Sequence, residues 1–185
     1  MNSREFIVLH HTDDPTQGPQ FNKVNAYHKA KGFPKSSLGF YVGYHYFIGF
    51  DGTIKVARAE WETGAHCNAK LMNFRGIGIA LAGDFTLRPP NEAQISALAT
   101  LVKDIQQRNK IADDHVLNHR DCKPTSCPGM DLVTIVLDRK RTATTDDLRF
   151  KLESYERMYE TATDPSKQRF AARAIRRISQ ALSRM

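Results

Sequence analysis

Two short apolar runs constrain this chain more than any other feature of its sequence. Residues 5–12 (EFIVLHHT) and 77–82 (IGIALA) are largely apolar on both alternations. A strand with one wet face alternates apolar and polar residues, whereas a run that is apolar throughout is covered on both sides. Both runs therefore read as central strands of a sheet with helices packed on it. The helices are legible too. Phe21, Val24, Tyr27 and His28 recur at helical spacing, and Gly32 and Pro34 end that segment. Asn91, with Gln94 three residues later, forms a capping-box pattern. Behind it Ile95, Leu98, Leu101, Val102 and Ile105 make one apolar stripe. The runs 43–50 and 53–58 flank Asp51-Gly52, a hairpin signal, and Val116-Leu117 form a short strand before His119. Residues 14–20 and 120–130 are loops by their Pro and Gly content. The order predicts an α/β domain over residues 1–137, with a mixed central β-sheet flanked by helices.

Charge sets the C-terminal quarter apart from this domain. Residues 1–137 carry 15 Lys/Arg against 13 Asp/Glu, whereas residues 138–185 carry 12 against 7. Most of the chain's net charge of +7 thus lies in a C-terminal extension, which reads as two helices. Leu148, Leu152, Tyr155 and Tyr159 share a face of the first. Asp164-Pro165 supplies a cap and a favoured first position for the second. Ile175, Ile178, Leu182 and Met185 fall on one stripe of that helix, with basic residues around it. A cationic amphipathic helix of this kind either lies on anionic lipid or lipopolysaccharide, or packs its stripe on protein and leaves a solvated basic face.

Several classes are excluded by what the chain lacks. No run approaches the ~18 apolar residues of a membrane span. The N-terminal MNSREFIVLHH reads as a first strand rather than a secretory signal. The expectation is synthesis in the cytoplasm and action at the cell wall or periplasm after release by another route. Three cysteines, Cys67, Cys122 and Cys127, do not make a disulfide framework. The spacing of Cys122 and Cys127 permits a short-loop disulfide, which a reducing compartment opposes. No nucleic-acid partner is expected.

The candidate chemistry lies in one histidine of the first strand, in His119 and in Cys127. The last two are eight residues apart in a Pro/Gly-interrupted loop that can turn both side chains to one point. Two neutral imidazoles and a thiolate leave a divalent metal with net positive charge and one open position for water. His10 and His11 point to opposite faces of a strand, so only one of them joins the site, and strand geometry alone does not say which.

Together, Leu9-His10-His11-Thr12, Gly43-Tyr44-His45-Tyr46, Asp51-Gly52-Thr53, Asn73 with Ile77-Gly78, and His119-Arg120-Asp121 followed by Pro124-Thr125-Ser126-Cys127-Pro128-Gly129 resemble the type-2 N-acetylmuramoyl-L-alanine amidases. That family includes phage endolysins and animal peptidoglycan recognition proteins. The resemblance covers residues 5–137 and implies a zinc hydrolase acting on peptidoglycan. It implies His10, His119 and Cys127 as zinc ligands and Tyr44 and Thr125 as catalytic positions. His66 matches a position that faces substrate. Family members with Lys at the position of Thr125 place a cation there, which threonine cannot supply; Lys123 is near in sequence. The other readings are a peptidoglycan-binding or regulatory module that does not cut, and a cytosolic enzyme that recycles murein fragments.

Overall fold

The computed structural model describes residues 4–161 and 165–184. Five strands make one mixed sheet in the order β3-β2-β4-β1-β5. The apolar runs form its two inner strands, β1 (Phe6–His11) and β4 (Gly76–Leu81), which pair in parallel. Strand β5 (Val116–Asn118) lies parallel on the other side of β1, and β2 (Tyr46–Ile48) parallel beside β4. The edge strand β3 (Ile54–Val56) returns antiparallel from β2. Its turn spans Gly49–Thr53 and is wider than a two-residue hairpin. Asp51 accepts from the Thr53 N–H and hydroxyl, and Gly52 takes a φ of +82° against the Ala93 carbonyl, where a side chain would collide.

Helix α1 (Phe21–Ala30) covers one face of the sheet. Helix α2 (Met72–Arg75) is a single turn that leads into β4. Helix α3 (Glu92–Asn109) begins at a complete Asn91–Gln94 capping box and covers the opposite face. The one-turn helix α4 (His119–Cys122) follows β5 directly, within the segment expected to be loop. Asn118 caps it and also accepts from the Leu132 N–H, so β5, α4 and the next helix share one anchor. That helix, α5, runs unbroken from Leu132 to Thr161. The chain forms two compact units, Met1–Leu137 and Asp138–Met185, so the division falls inside α5 rather than at a linker. The first predicted tail helix is therefore the continuation of α5. Its Leu148 and Leu152 are half-buried and Tyr159 is exposed. Helix α6 (Pro165–Leu182) opens on Pro165; Asp164, Met185 and the Tyr155 side chain lie outside the described residues.

The two faces of the sheet are built from different side chains. Ile7, Leu9, Ile77, Ile79 and Leu81 point to one face and pack without solvent against Leu98, Val102 and Ile105 of α3 and Leu132 and Val136 of α5. The register places Val8 beside Gly78 and His10 beside Ala80 on the other face. There the small side of β4, Gly76, Gly78 and Ala80, leaves a trough that a run of larger residues would fill.

Candidate metal centre and substrate groove

The trough is occupied by histidines. A Cβ on Gly78 would lie 2.5 Å from the His66 ring, and one on Gly64 2.6 Å from it. His66 is held there by its own backbone: the N–H groups of His66 and Cys67 both donate to Asn73 Oδ1 at 2.7 Å. His45 also braces β4, accepting the Gly78 N–H on Nδ1 at 3.0 Å. His66 Nδ1 lies 3.1 Å from His10 Nε2. Its own Nε2 is buried toward the Gly76 backbone, outside hydrogen-bond geometry.

His10 points into the trough, and its ring packs 4.4 Å from His119 and 5.1 Å from Tyr44, centroid to centroid. The loop after α4 supplies the thiol. The Arg120 N–H donates to the Cys127 carbonyl at 2.9 Å and closes this loop on itself. Gly129, at φ +87°, lets it pass against the Phe85–Thr86 backbone, where a Cβ would sit at 2.5 Å. Cys127 Sγ is thereby set 3.7 Å from His10 Nδ1. His11 faces the other side, accepting the Phe85 N–H on Nδ1 at 3.1 Å, so the strand sends His10 and not His11 to the site.

Donor atoms of His10, His119 and Cys127 all lie within 4.8 Å of one another. Two imidazole nitrogens and a sulfur are a zinc-type donor set, and typical Zn–N and Zn–S lengths at a tetrahedral ion put N and S about 3.6 Å apart. The observed 3.7 Å fits that spacing. Burial, more than the neighbouring imidazoles, pushes the His10 pKa well down. Burial also lowers His119 to about 4, so both rings are in the neutral, ligating form. His119 Nε2 is buried without a hydrogen-bond partner among the described residues. Burial raises the Cys127 thiol to about 11, so its thiolate needs a cation beside it. The residues fit a divalent metal.

A groove of about 680 Å³ opens over these donors. Tyr44, His66, Thr125 and Cys127 all line it. Burial, with Cys127 nearby, raises the Tyr44 pKa and keeps its phenol protonated. Thr125 Oγ1 accepts the Cys127 N–H at 3.3 Å, which leaves the hydroxyl proton able to donate. Lys123 brings no cation to the groove lining; its Nζ donates to Asn68 Oδ1 at 3.3 Å.

Sequence reasoning missed the far wall. Val24 and Tyr27 of α1 line it, together with Asp14 and Lys23, which pair at 2.6 Å. Lys23 and Thr16 hold the Asp14 carboxyl down at about 2. Tyr27 is 59% exposed while Phe21 and His28 of the same helix are buried, so α1 presents an aromatic ring to the groove. Trp61 is 68% exposed and outside the groove lining, and Arg75 is bound to Glu5. Cys122 lies in a separate apolar cluster with Val8, Cys67 and Met72, and all three cysteines are free thiols.

A mixed sheet thus carries a His/His/Cys donor set at the floor of an open groove. Comparison with known proteins gives the family. The family model for N-acetylmuramoyl-L-alanine amidase matches residues 1–130. The chain is 29% identical over 133 residues to peptidoglycan-recognition protein SC2 of Drosophila melanogaster, covering 71% of each chain. It is 32% identical over 135 residues to the Drosophila simulans protein of the same name, covering 69% of each. Among solved structures, the amidase LysC from Clostridium intestinale superposes with a TM-score of 0.63 at 31% identity, over 75% of this chain and 86% of that one. The Ph2119 endolysin, from a Thermus scotoductus bacteriophage, superposes at 0.60 with 26% identity, over 73% and 83%. The chain belongs to the N-acetylmuramoyl-L-alanine amidase family.

Proposed function

We propose that this protein is a zinc-dependent amidase that hydrolyses the amide joining N-acetylmuramic acid to L-alanine in cell-wall peptidoglycan, as a lytic enzyme of the endolysin type. The observation that carries this reading is the convergence of His10, His119 and Cys127 on one point beneath the groove that also holds Tyr44.

His10, His119 and Cys127 hold the metal. When bound, zinc supplies Lewis-acid activation of water and of the scissile carbonyl. Tyr44 donates its phenolic proton in a hydrogen bond to the carbonyl oxygen as negative charge develops there, the kind of fixed donor that contributes most to acyl-group hydrolysis. Thr125 adds a second, neutral donor. His66 acts through His10 and positions it. His10 turns Nδ1 toward Cys127, and its Nε2 lies within hydrogen-bond reach of His66 Nδ1; with Nε2–H donating there, the contact would fix the ring plane and the tautomer needed to hold a metal. The stem peptide lies along the wall made by α1, where Val24 and Tyr27 offer apolar contact and the Asp14–Lys23 pair offers charge.

Digestion of purified murein with mass spectrometry of the products tests this. The expected products are glycan with free lactyl carboxylates and peptides beginning at L-alanine, lost on chelation and restored by zinc. Zinc-loaded protein that retains murein without releasing new amino termini would instead establish a binding module.

A further inference from the structure

Helix α6 carries a row of exposed arginines. Arg169, Arg173, Arg176 and Arg177 are spaced three and four apart and fall on one side of it, all exposed. At ~1.5 Å per residue this row extends about 12 Å along the helix axis. No Asp or Glu occurs from Pro165 to the C-terminus. Among the described residues, the ion pairs all involve other groups. Like charges one turn apart destabilise a helix, so an anionic partner would relieve a repulsion built into this row.

The opposite side of α6 is apolar and largely covered. Ala171 is fully buried, and Ile175, Ile178 and Leu182 are half-buried. The stripe is thus the more buried side of the helix and the arginine row the exposed one. The arginine row is interleaved with Ala172 and Gln180. Guanidinium groups in a row, on an amphipathic helix and with no acid near them in sequence, match a flat array of phosphates.

We propose that the arginine face of α6 is a docking surface for an anionic phospholipid bilayer, held by charge while the apolar side of the helix stays packed. This does not depend on the amidase reading.

Flotation of the full-length protein with phosphatidylcholine vesicles, with and without about 30% phosphatidylglycerol, tests it. Binding is expected only to the anionic vesicles and is lost in about 0.5 M salt, where charge is screened within a few ångströms. Replacing Arg169, Arg173, Arg176 and Arg177 with Gln lowers partitioning at least about tenfold, because each cation near such a surface contributes severalfold. Replacing the same four with Lys retains binding, and neither variant lowers the helical circular dichroism or the melting temperature, since all four side chains are exposed. Equal binding of the Gln variant, or equal binding to neutral vesicles, overturns the proposal. So does binding that appears only when lipopolysaccharide is added, or a duplex oligonucleotide that displaces the protein from vesicles at equal phosphate.

Discussion

The two faces of the central sheet come from the same strands and serve opposite ends. On one, Ile7, Leu9, Ile77, Ile79 and Leu81 pack against α3 and the start of α5. On the other, Gly76, Gly78 and Ala80 give up packing volume, and His10, His45 and His66 fill the space with ring nitrogens. Large apolar side chains gain stability from burial. Glycines in a strand give that up, and here the room they leave holds a row of buried imidazoles at fixed distances. Residues adjacent in sequence therefore differ in kind: one sets how firmly the domain folds, and its neighbour sets what the domain can bind.

Substitution on each face separates the two roles. The largest effect is expected for Cys127→Ala, which removes zinc and all amide hydrolysis while leaving the fold, because its thiol contributes to the donor set rather than the core. Leu9→Ala, from the opposite face of β1, is expected to cost about 2–5 kcal/mol of stability and to retain one zinc per chain while folded. Metal analysis beside thermal melts checks both; zinc retained by Cys127→Ala breaks the comparison. Next comes Tyr44→Phe, which keeps zinc and lowers turnover by about 10²–10³, the usual loss for one oxyanion donor. Thr125→Val lowers it less, and equal rates for wild type and Tyr44→Phe would reduce Tyr44 to packing. The smallest pair consists of two neighbours on β4. Gly78→Ala forces the His66 ring to move and weakens zinc affinity by about 10–100-fold, the size expected for disturbing a ligand's hydrogen-bond partner. Ile79→Val costs about 0.5–1.5 kcal/mol and leaves zinc affinity unchanged. Competition with a chromophoric chelator measures both affinities, and matching values for the two variants would show that the trough does not hold His66 for the metal.

Much of this was legible in the residues. β1, β4 and α3 follow from apolar runs and a capped stripe whose signals are local. The His119 to Cys127 loop could be seen to converge because its Pro and Gly residues leave few other paths. Strand geometry alone did not choose His10 over His11; the family resemblance did, and the physical reason is tertiary. The alternation of small and large residues in IGIALA carries the answer, but only once β4 is known to lie beside β1 in register, which is a tertiary fact. The far wall of the groove was hidden because Val24 and Tyr27 read as part of the apolar repeat of α1 and Lys23 as its solvated side. The unbroken course of α5 was hidden because composition changes at residue 138 while the helix does not. Loop chemistry likewise did not reveal that Lys123 turns to Asn68 instead of the groove.

The donor set also says something about the order in which the molecule assembles. His119 and Cys127 come together within one loop closed by a single backbone hydrogen bond. His10 belongs to the first strand synthesised and reaches them only when β1 and β5 pair, across nearly the whole domain in sequence. Closing so long a separation is slow relative to closing a local loop. A nascent chain can therefore offer a metal two ligands early and the third only late. On the proposed zinc reading, three-ligand capture would follow completion of the sheet, and a chain whose sheet is incomplete would offer only two ligands.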